Sequence, residues 1–374
     1  MASRTTHPVL DTRTLNRATL ARQLLLSRAE TSAADAVGHL LGLQAQNVKP
    51  PYYQLHARLA RFRPVELAGL MESREVVRMV TMRSTIHAHT VHDALTLRPL
   101  VQPARDREVN HFRKGLAGVD LDRLAERARA FVESEPRTMA EIRGELLRHW
   151  PDADPQSLSV AARCRLPLVQ VTPRGVWGRS GQVRLTTLEE WVGGRPAGEA
   201  AEQSVDDVVL RYLGAFGPAS VKDMQVWAGL TRLREAFERL RPGLAVFRDE
   251  NGVELFDLPD APRPDARTPA PPRFLPEFDN LLLSHADRSR VVPPEVKGRT
   301  WTGNQAHCTL LVDGFVAGLW KAEEGNGVTV ELFREVPAAW REEIVAEGEL
   351  MISAMAGSGG EPGRGSVRFG PIRG

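Results

Sequence analysis

Cysteine is almost missing from this chain of 374 residues, in which Cys164 and Cys308 are the only thiols. Two thiols cannot build a disulfide scaffold or a Cys-rich zinc finger, and a reducing cytosol is the expected compartment. Lysine is scarce too. Of the 49 basic residues only Lys49, Lys114, Lys222, Lys297 and Lys321 are lysine, and the rest are arginine. Arginine is the reader of phosphate and guanine, but a GC-rich genome gives the same bias. The net charge is only +2, which does not by itself single out a nucleic-acid binder. After its first charges the N-terminal stretch has no apolar core of the kind a secretory signal needs, and no window approaches 18 uninterrupted apolar residues. A soluble, cytoplasmic protein that does not enter membranes is therefore expected. Also missing are a Walker loop, a dinucleotide fingerprint and a serine-nucleophile elbow, and no cofactor is expected.

What is present is a repeated pattern, with a length that predicts two to three units. Apolar spacing predicts helices over 14–26, 32–43, 52–60 and 65–73, followed by two β-rich runs, 75–82 and 84–90, that pivot about Arg83 as a hairpin. Residues 91–114 read as a connecting helix interrupted at Pro99 and Pro103. The pattern then recurs with helices over 120–133, 138–150 and 154–165 and strands over 168–172 and 175–185. It recurs again with helices over 205–216, 220–228 and 231–240, the last capped by Thr231, and a ribbon turning at Asn251 and Gly252. Helices followed by a two-stranded ribbon are the one-dimensional form of a winged helix-turn-helix. A Pro-rich linker over 262–272 leads to a strand-rich module with a type I′ hairpin at Asp313 and Gly314, a helix over 337–355, a Gly-rich connector over 357–365 and a last short strand. The expected fold class is α+β, with tandem winged helix-turn-helix units over 10–118, 119–192 and 203–260 and a C-terminal α+β module over 273–374.

Leu40 to Tyr53, reading LLGLQAQNVKPPYY, organises the first unit. An apolar helix runs into Gln44 and Gln46, and Pro50 and Pro51 forbid its continuation. In extended backbone, residues two apart point the same way. Two neutral amides aimed at one spot can hold a water molecule, since each offers an acceptor and two donors. Taken alone, a Gln-x-Gln triplet arises by chance on the order of once in a chain of this size, and glutamine also satisfies helix ends.

Winged helices offer a helix to the major groove and a wing to the backbone or minor groove, although they also serve as protein-interaction modules. The candidate DNA contacts are Asn47, Lys49, Arg83, Thr85, His87 and His89 in the first unit and Arg163, Arg165, Arg174 and Arg179 in the second. Arg232 and Arg234 are candidates in the third. His87 and His89 share one strand face, and with Asp93 they could hold zinc; a phosphate-contacting polar strand is the other reading. Glu277 and Asp279 lie in apolar surroundings, either as general acid or base or as a helix cap paired with Arg288 or Arg290.

Four segments carry a family resemblance: GLQAQ at 42–46, RMVTMRSTIHAHT at 78–90, FLPEFDNLLLSHADRSRVV at 274–292 and TLLVDGFVAGLW at 309–320. In their order and spacing the chain resembles the AlkZ-like, YcaQ-related family of winged-helix bacterial DNA glycosylases. The resemblance implies hydrolysis of the N-glycosidic bond of alkylated purines, with Gln44 and Gln46 positioning the attacking water. Its second glutamine, where the YcaQ branch has aspartate, places the chain with the AlkZ-like branch. Members of that branch protect antibiotic producers from their own DNA-alkylating products. The implied partner is double-stranded DNA bearing N7-alkylguanine, bulky or crosslinked adducts included, bound by a monomer. A non-catalytic winged-helix transcription regulator is the alternative from another class, and a metal-dependent hydrolase on His87, His89 and Asp93 is a third.

Overall fold

Polar caps begin most helices where the sequence places them. In the computed structural model, which describes residues 7–193, 204–323, 327–356 and 366–373, the side chains of Asp11, Ser32, Thr138, Asp154, Ser204 and Ser220 accept backbone amides at the starts of their helices. Each satisfies a donor that the first helical turn leaves without a partner. Thr231 does not act this way. Arg232 adopts a left-handed backbone with φ 63, and the helix starts only at Arg234. Leu233 N–H donates instead to Gln225 Oε1 at 3.2 Å. Pro50 and Pro51 open the Pro50–Arg58 helix, and Pro64 opens Pro64–Glu72. The connecting segment divides into Val91–Leu100 and Gln102–His111.

The expected hairpin forms from Val76–Val80 and Ile86–Thr90 and becomes the centre of a five-stranded antiparallel sheet. Leu43–Gln44 lies at one edge beside Ile86–Thr90, while Leu168–Gln170 and Leu185–Thr187 extend the sheet beyond Val76–Val80. The first hairpin and the second group's strands thus share one sheet. The strand expected over 175–185 is reduced to Leu185–Thr187, because Gly175 and Gly178 take φ of 96 and 72 and turn the chain out of extension. The first and third groups share a core as well. Leu40, Leu43, Ala45 and Leu55 pack in one cluster with Tyr212, Phe216, Trp227 and Phe237.

The C-terminal sheet orders Val367–Phe369, Val328–Leu332, Phe315–Ala322, Thr309–Val312 and Arg273–Leu275, with the Ala338–Met355 helix packed on it. Asp313 and Gly314 take φ of 49 and 80, as a type I′ turn requires. The Asn251–Gly252 turn is wider: only Gly252 has positive φ, and the Asp249 carboxylate accepts the amides of Asn251 and Val253. The 262–272 linker has no regular structure, but the Thr12–Arg22 helix straps it down. Arg13 Nε donates to Ala266 O at 2.8 Å and Arg17 Nε to Thr268 O at 2.6 Å. Arg22 forms a buried fork on Asp257, at 2.5 and 2.8 Å. The expected Gly-rich connector over 357–365 lies outside the described residues. Among the described residues no helix is long and apolar enough to cross a membrane.

Candidate active site

The helix leading to the glutamines ends earlier than its apolar run. Ala33–His39 stops at Leu40, Leu41 and Gly42 turn left-handed with φ of 52 and 98, and Gly42 N–H closes on Val37 O at 2.9 Å. Only glycine fits there, because a Cβ would stand 2.3 Å from His89 Nδ1. The reversal sends Leu43 and Gln44 into the edge strand, where Gln44 faces His87 and Ala45 N–H donates to Ile86 O at 2.7 Å. The glutamines therefore sit on and just past a strand, not at a helix end.

Gln44 is buried, 3% exposed, and Gln46 is exposed. Arg83 Nη2 donates to Gln44 Oε1 at 2.8 Å, and Ile86 N–H donates to Gln46 Oε1 at 3.3 Å. Gln54 Nε2 donates to the Gln44 backbone carbonyl at 3.1 Å. Among the described residues each side-chain carbonyl thus has one protein donor, which leaves it a second lone pair besides its NH2 group.

Arg83 sits at the hairpin turn with φ 53, but its guanidinium points inward. It donates to Trp227 O as well as to Gln44, and Nη2 lies 3.4 Å from His87 Nε2. Gly229 makes this approach possible, since a Cβ there would lie 3.0 Å from Arg83 N. Burial, with Arg288 nearby, lowers the Arg83 pKa to about 10, so it stays charged at neutral pH. His87 and His89 share a face as expected, with rings stacked at 5.5 Å, and both lie within hydrogen-bond distance of the Thr81 hydroxyl, at 3.1 and 2.9 Å. Both are buried, at 1% and 0% exposure. Desolvation pushes His87 well below the ordinary imidazole value and His89 down to about 4, so both rings are neutral at physiological pH.

The trio His87, His89 and Asp93 does not assemble as a metal site. Asp93 pairs with Arg211 at 2.5 Å, and among the described residues no three His, Cys, Asp or Glu gather for an ion.

The PEFDN segment grips the glutamine stretch at three points. Asn280 Nδ2 donates to Gly42 O at 2.8 Å, just before the motif. Asn47 Nδ2 donates to Glu277 Oε1 at 3.0 Å, just after it. Asp279 receives both Arg58 Nη atoms at 2.8 Å, from the helix that follows, and also accepts Leu281 N–H. The capping role expected of Asp279 is therefore present, with Arg58 as its ion partner instead of Arg288 or Arg290. Arg290 reaches Thr19 and the Pro218 carbonyl, and Arg288 lies over the Trp301 ring.

The remaining candidates are dispersed. Thr85 Oγ1 bonds Met82 O at 3.1 Å, and Lys49 is exposed beside a cleft containing Tyr53 and Trp177. Arg163 pairs with Glu108 at 2.5 Å, and Glu108 also accepts Ser84 Oγ at 2.7 Å, which links Arg163 to the hairpin turn. Arg165 pairs with Asp122, Arg179 with Glu72 at 2.8 Å and Arg234 with Glu238 at 3.6 Å. Arg174 is half-buried and Arg232 exposed. Sequence reasoning missed Thr81 and Arg58, for which no local pattern gives a signal.

Comparison with known proteins gives one consistent result. A family described as DNA glycosylase AlkZ-like matches residues 37–353. An interstrand DNA cross-link repair glycosylase of Streptomyces sahachiroi is 26% identical over 328 residues, which span 80% of this chain and 85% of the relative. The solved structure of the Streptomyces sahachiroi DNA glycosylase AlkZ superposes with a TM-score of 0.73 at 21% identity, covering 97% of this chain and all of that one, a likeness of fold.

Proposed function

The chain belongs to the AlkZ-like DNA glycosylase family, and from that premise we propose that it hydrolyses the N-glycosidic bond of cationic N7-alkylguanine in duplex DNA. It acts as a cytoplasmic monomer with a single activity, on adducts that include bulky and crosslinked ones, in repair or in self-resistance to an alkylating natural product. The crosslink part draws on the name of the Streptomyces sahachiroi relative. The three helix-and-ribbon groups over 10–118, 119–192 and 203–260 are read as winged helices that track the duplex.

One observation carries the reading: a buried Gln44 fixed by Arg83 at 2.8 Å, two residues before an exposed Gln46. A guanine alkylated at N7 is already positive. When its bond to C1′ breaks, the electron pair moves to N9 and the base leaves neutral, so no general acid has to protonate it. Water adds to C1′ and releases its proton to solvent. The protein's part is to place that water, and positioning of this kind lowers a barrier by several kcal/mol. Two neutral amides suffice, and the neutral His87 and His89 add no charge to repel a cationic sugar. Asn47, Lys49 and Thr85 would meet the strand beside the lesion, with Arg163, Arg165, Arg174 and Arg179 farther along the duplex, while Arg83, turned inward to Gln44 and Trp227, serves the motif and not the strand. The non-catalytic regulator is not favoured by the family match.

The test is incubation with duplex DNA bearing one N7-methylguanine, followed by heating in alkali. Strand breaks are expected at the lesion and not at unmodified guanine or uracil. Full activity in the Gln44→Ala, Gln46→Ala double variant would overturn the assignment.

A further inference from the structure

Glu277 and Asp279 are two residues apart and treated differently by the fold. Asp279 is wholly buried and held by Arg58. Glu277 is half-buried and lines an open cleft of about 490 Å³ with His307, Cys308 and Trp320. The residue between them, Phe278, adopts φ 60. A bulky non-glycine side chain rarely takes this left-handed conformation, and where one does, the surroundings must hold it there. Here the Phe278 ring meets Trp301 edge-on at 5.6 Å. The strain turns one carboxylate inward to the core and leaves its neighbour facing the motif loop.

Glu277 then makes two bonds of unequal kind. The Cys308 thiol donates to Oε2 at 3.1 Å and fixes the carboxylate from the C-terminal sheet side. Asn47 Nδ2 donates to Oε1 at 3.0 Å, and Asn47 directly follows Gln46. Among the described residues Gln46 itself is held by a single long bond, 3.3 Å from Ile86 N. Residues 46–49 form bends between a two-residue strand and the next helix, so few constraints define where the exposed amide points.

We propose that Glu277 is a positioning residue for excision: through Asn47 it fixes the Gln46 amide from a module some 230 residues away in sequence. The inference rests on reading Gln46 as a holder of the water. It makes the C-terminal module part of the active site's geometry.

The test is single-turnover excision of N7-methylguanine from a duplex, with DNA affinity and Tm measured alongside, in a cycle between Glu277 and Gln46. Glu277→Ala should slow excision at least about 10-fold with DNA affinity unchanged. Glu277→Gln, whose carbonyl still accepts from Asn47, should stay within about threefold of the parent. In a Gln46→Ala background, Glu277→Ala should have no further effect, because the residue it positions is gone. An unchanged rate in Glu277→Ala, equal losses in both backgrounds, or Glu277→Gln as slow as Glu277→Ala would each overturn the proposal. Should Gln46→Ala alone remain fully active, the water-holding reading falls separately, and any loss from Glu277→Ala would then belong to another route.

Discussion

The Arg83 guanidinium donates to the Gln44 side-chain carbonyl across 2.8 Å and to the Trp227 carbonyl at the same time. An arginine has no acceptor, so this contact fixes which end of the Gln44 amide is oxygen and turns the NH2 the other way. Arg83→Ala should slow excision by about 10- to 100-fold and, by leaving a buried carbonyl without its donor, cost about 1–3 kcal/mol of stability. Arg83→Lys should fall between, because one ammonium lacks the planar fork that spans both acceptors. Single-turnover rates and thermal unfolding check both parts.

Buried histidines set the acid limit of the fold. His89 is pushed down to about 4, His56 to about 3 and His87 downward as well. Unfolded imidazoles titrate near 6.5, so below that pH the unfolded chain takes up protons that the folded one refuses. Stability therefore falls as pH drops, by up to about 1.4 kcal/mol per pH unit per histidine. Denaturant unfolding should be flat between about pH 7 and about pH 8 and decline below about pH 6.5, with a shallower decline in His89→Gln. The excision rate should show no bell over the neutral range, since no general acid is used. A bell-shaped profile there would count against the leaving-group argument.

Arg58 and Asp279 form a bidentate pair with no solvent exposure on either side chain. Arg58→Met alone should cost about 3–5 kcal/mol because it strands a buried carboxylate, whereas Arg58→Met with Asp279→Leu should cost less than either single change. Urea unfolding midpoints would reveal the non-additivity.

Gly42 and Gly118 both take positive φ, but only at Gly42 would a Cβ collide, at 2.3 Å from His89 Nδ1; at Gly118 the space is open. Gly118→Ala should cost about 1 kcal/mol from backbone strain. Gly42→Ala should cost about 2–4 kcal/mol and also slow excision, because the displaced strand carries Gln44. Comparing the two variants by thermal unfolding separates the clash from the conformational penalty.

Local chemistry was legible in the sequence. The caps at Thr138 and Ser220, the Arg83 hairpin and the Asp313–Gly314 turn all follow from residue types at fixed offsets. The GLQAQ and PEFDN stretches were both visible as unusual. Their contact was not, because hydrogen-bond partners about 230 residues apart leave no periodicity to read. The Asp279 partner went to Arg58 instead of the nearby Arg288 or Arg290 for the same reason: nearness along the chain says little about nearness in space. The early end of the Ala33–His39 helix was hidden by Leu40, Leu41 and Leu43, whose apolar run satisfies a helical pattern while Gly42 redirects the backbone. The inward turn of Arg83 depends on the room left by Gly229, a residue in another helical group.

Three arginines of the first helix clasp the far half of the molecule: Arg22 on Asp257, Arg17 on Thr268 and Asp313, and Arg13 on Ala266 and Asp313. Early residues therefore complete late ones. On a ribosome, the carboxylate of Asp257 meets the Arg22 guanidinium only after more than 200 intervening residues have emerged, and a fragment lacking the first helix would leave that buried carboxylate with Arg263 alone. Dividing this protein into separately expressed pieces should give insoluble halves, so studies of its parts will need point substitutions within the intact polypeptide.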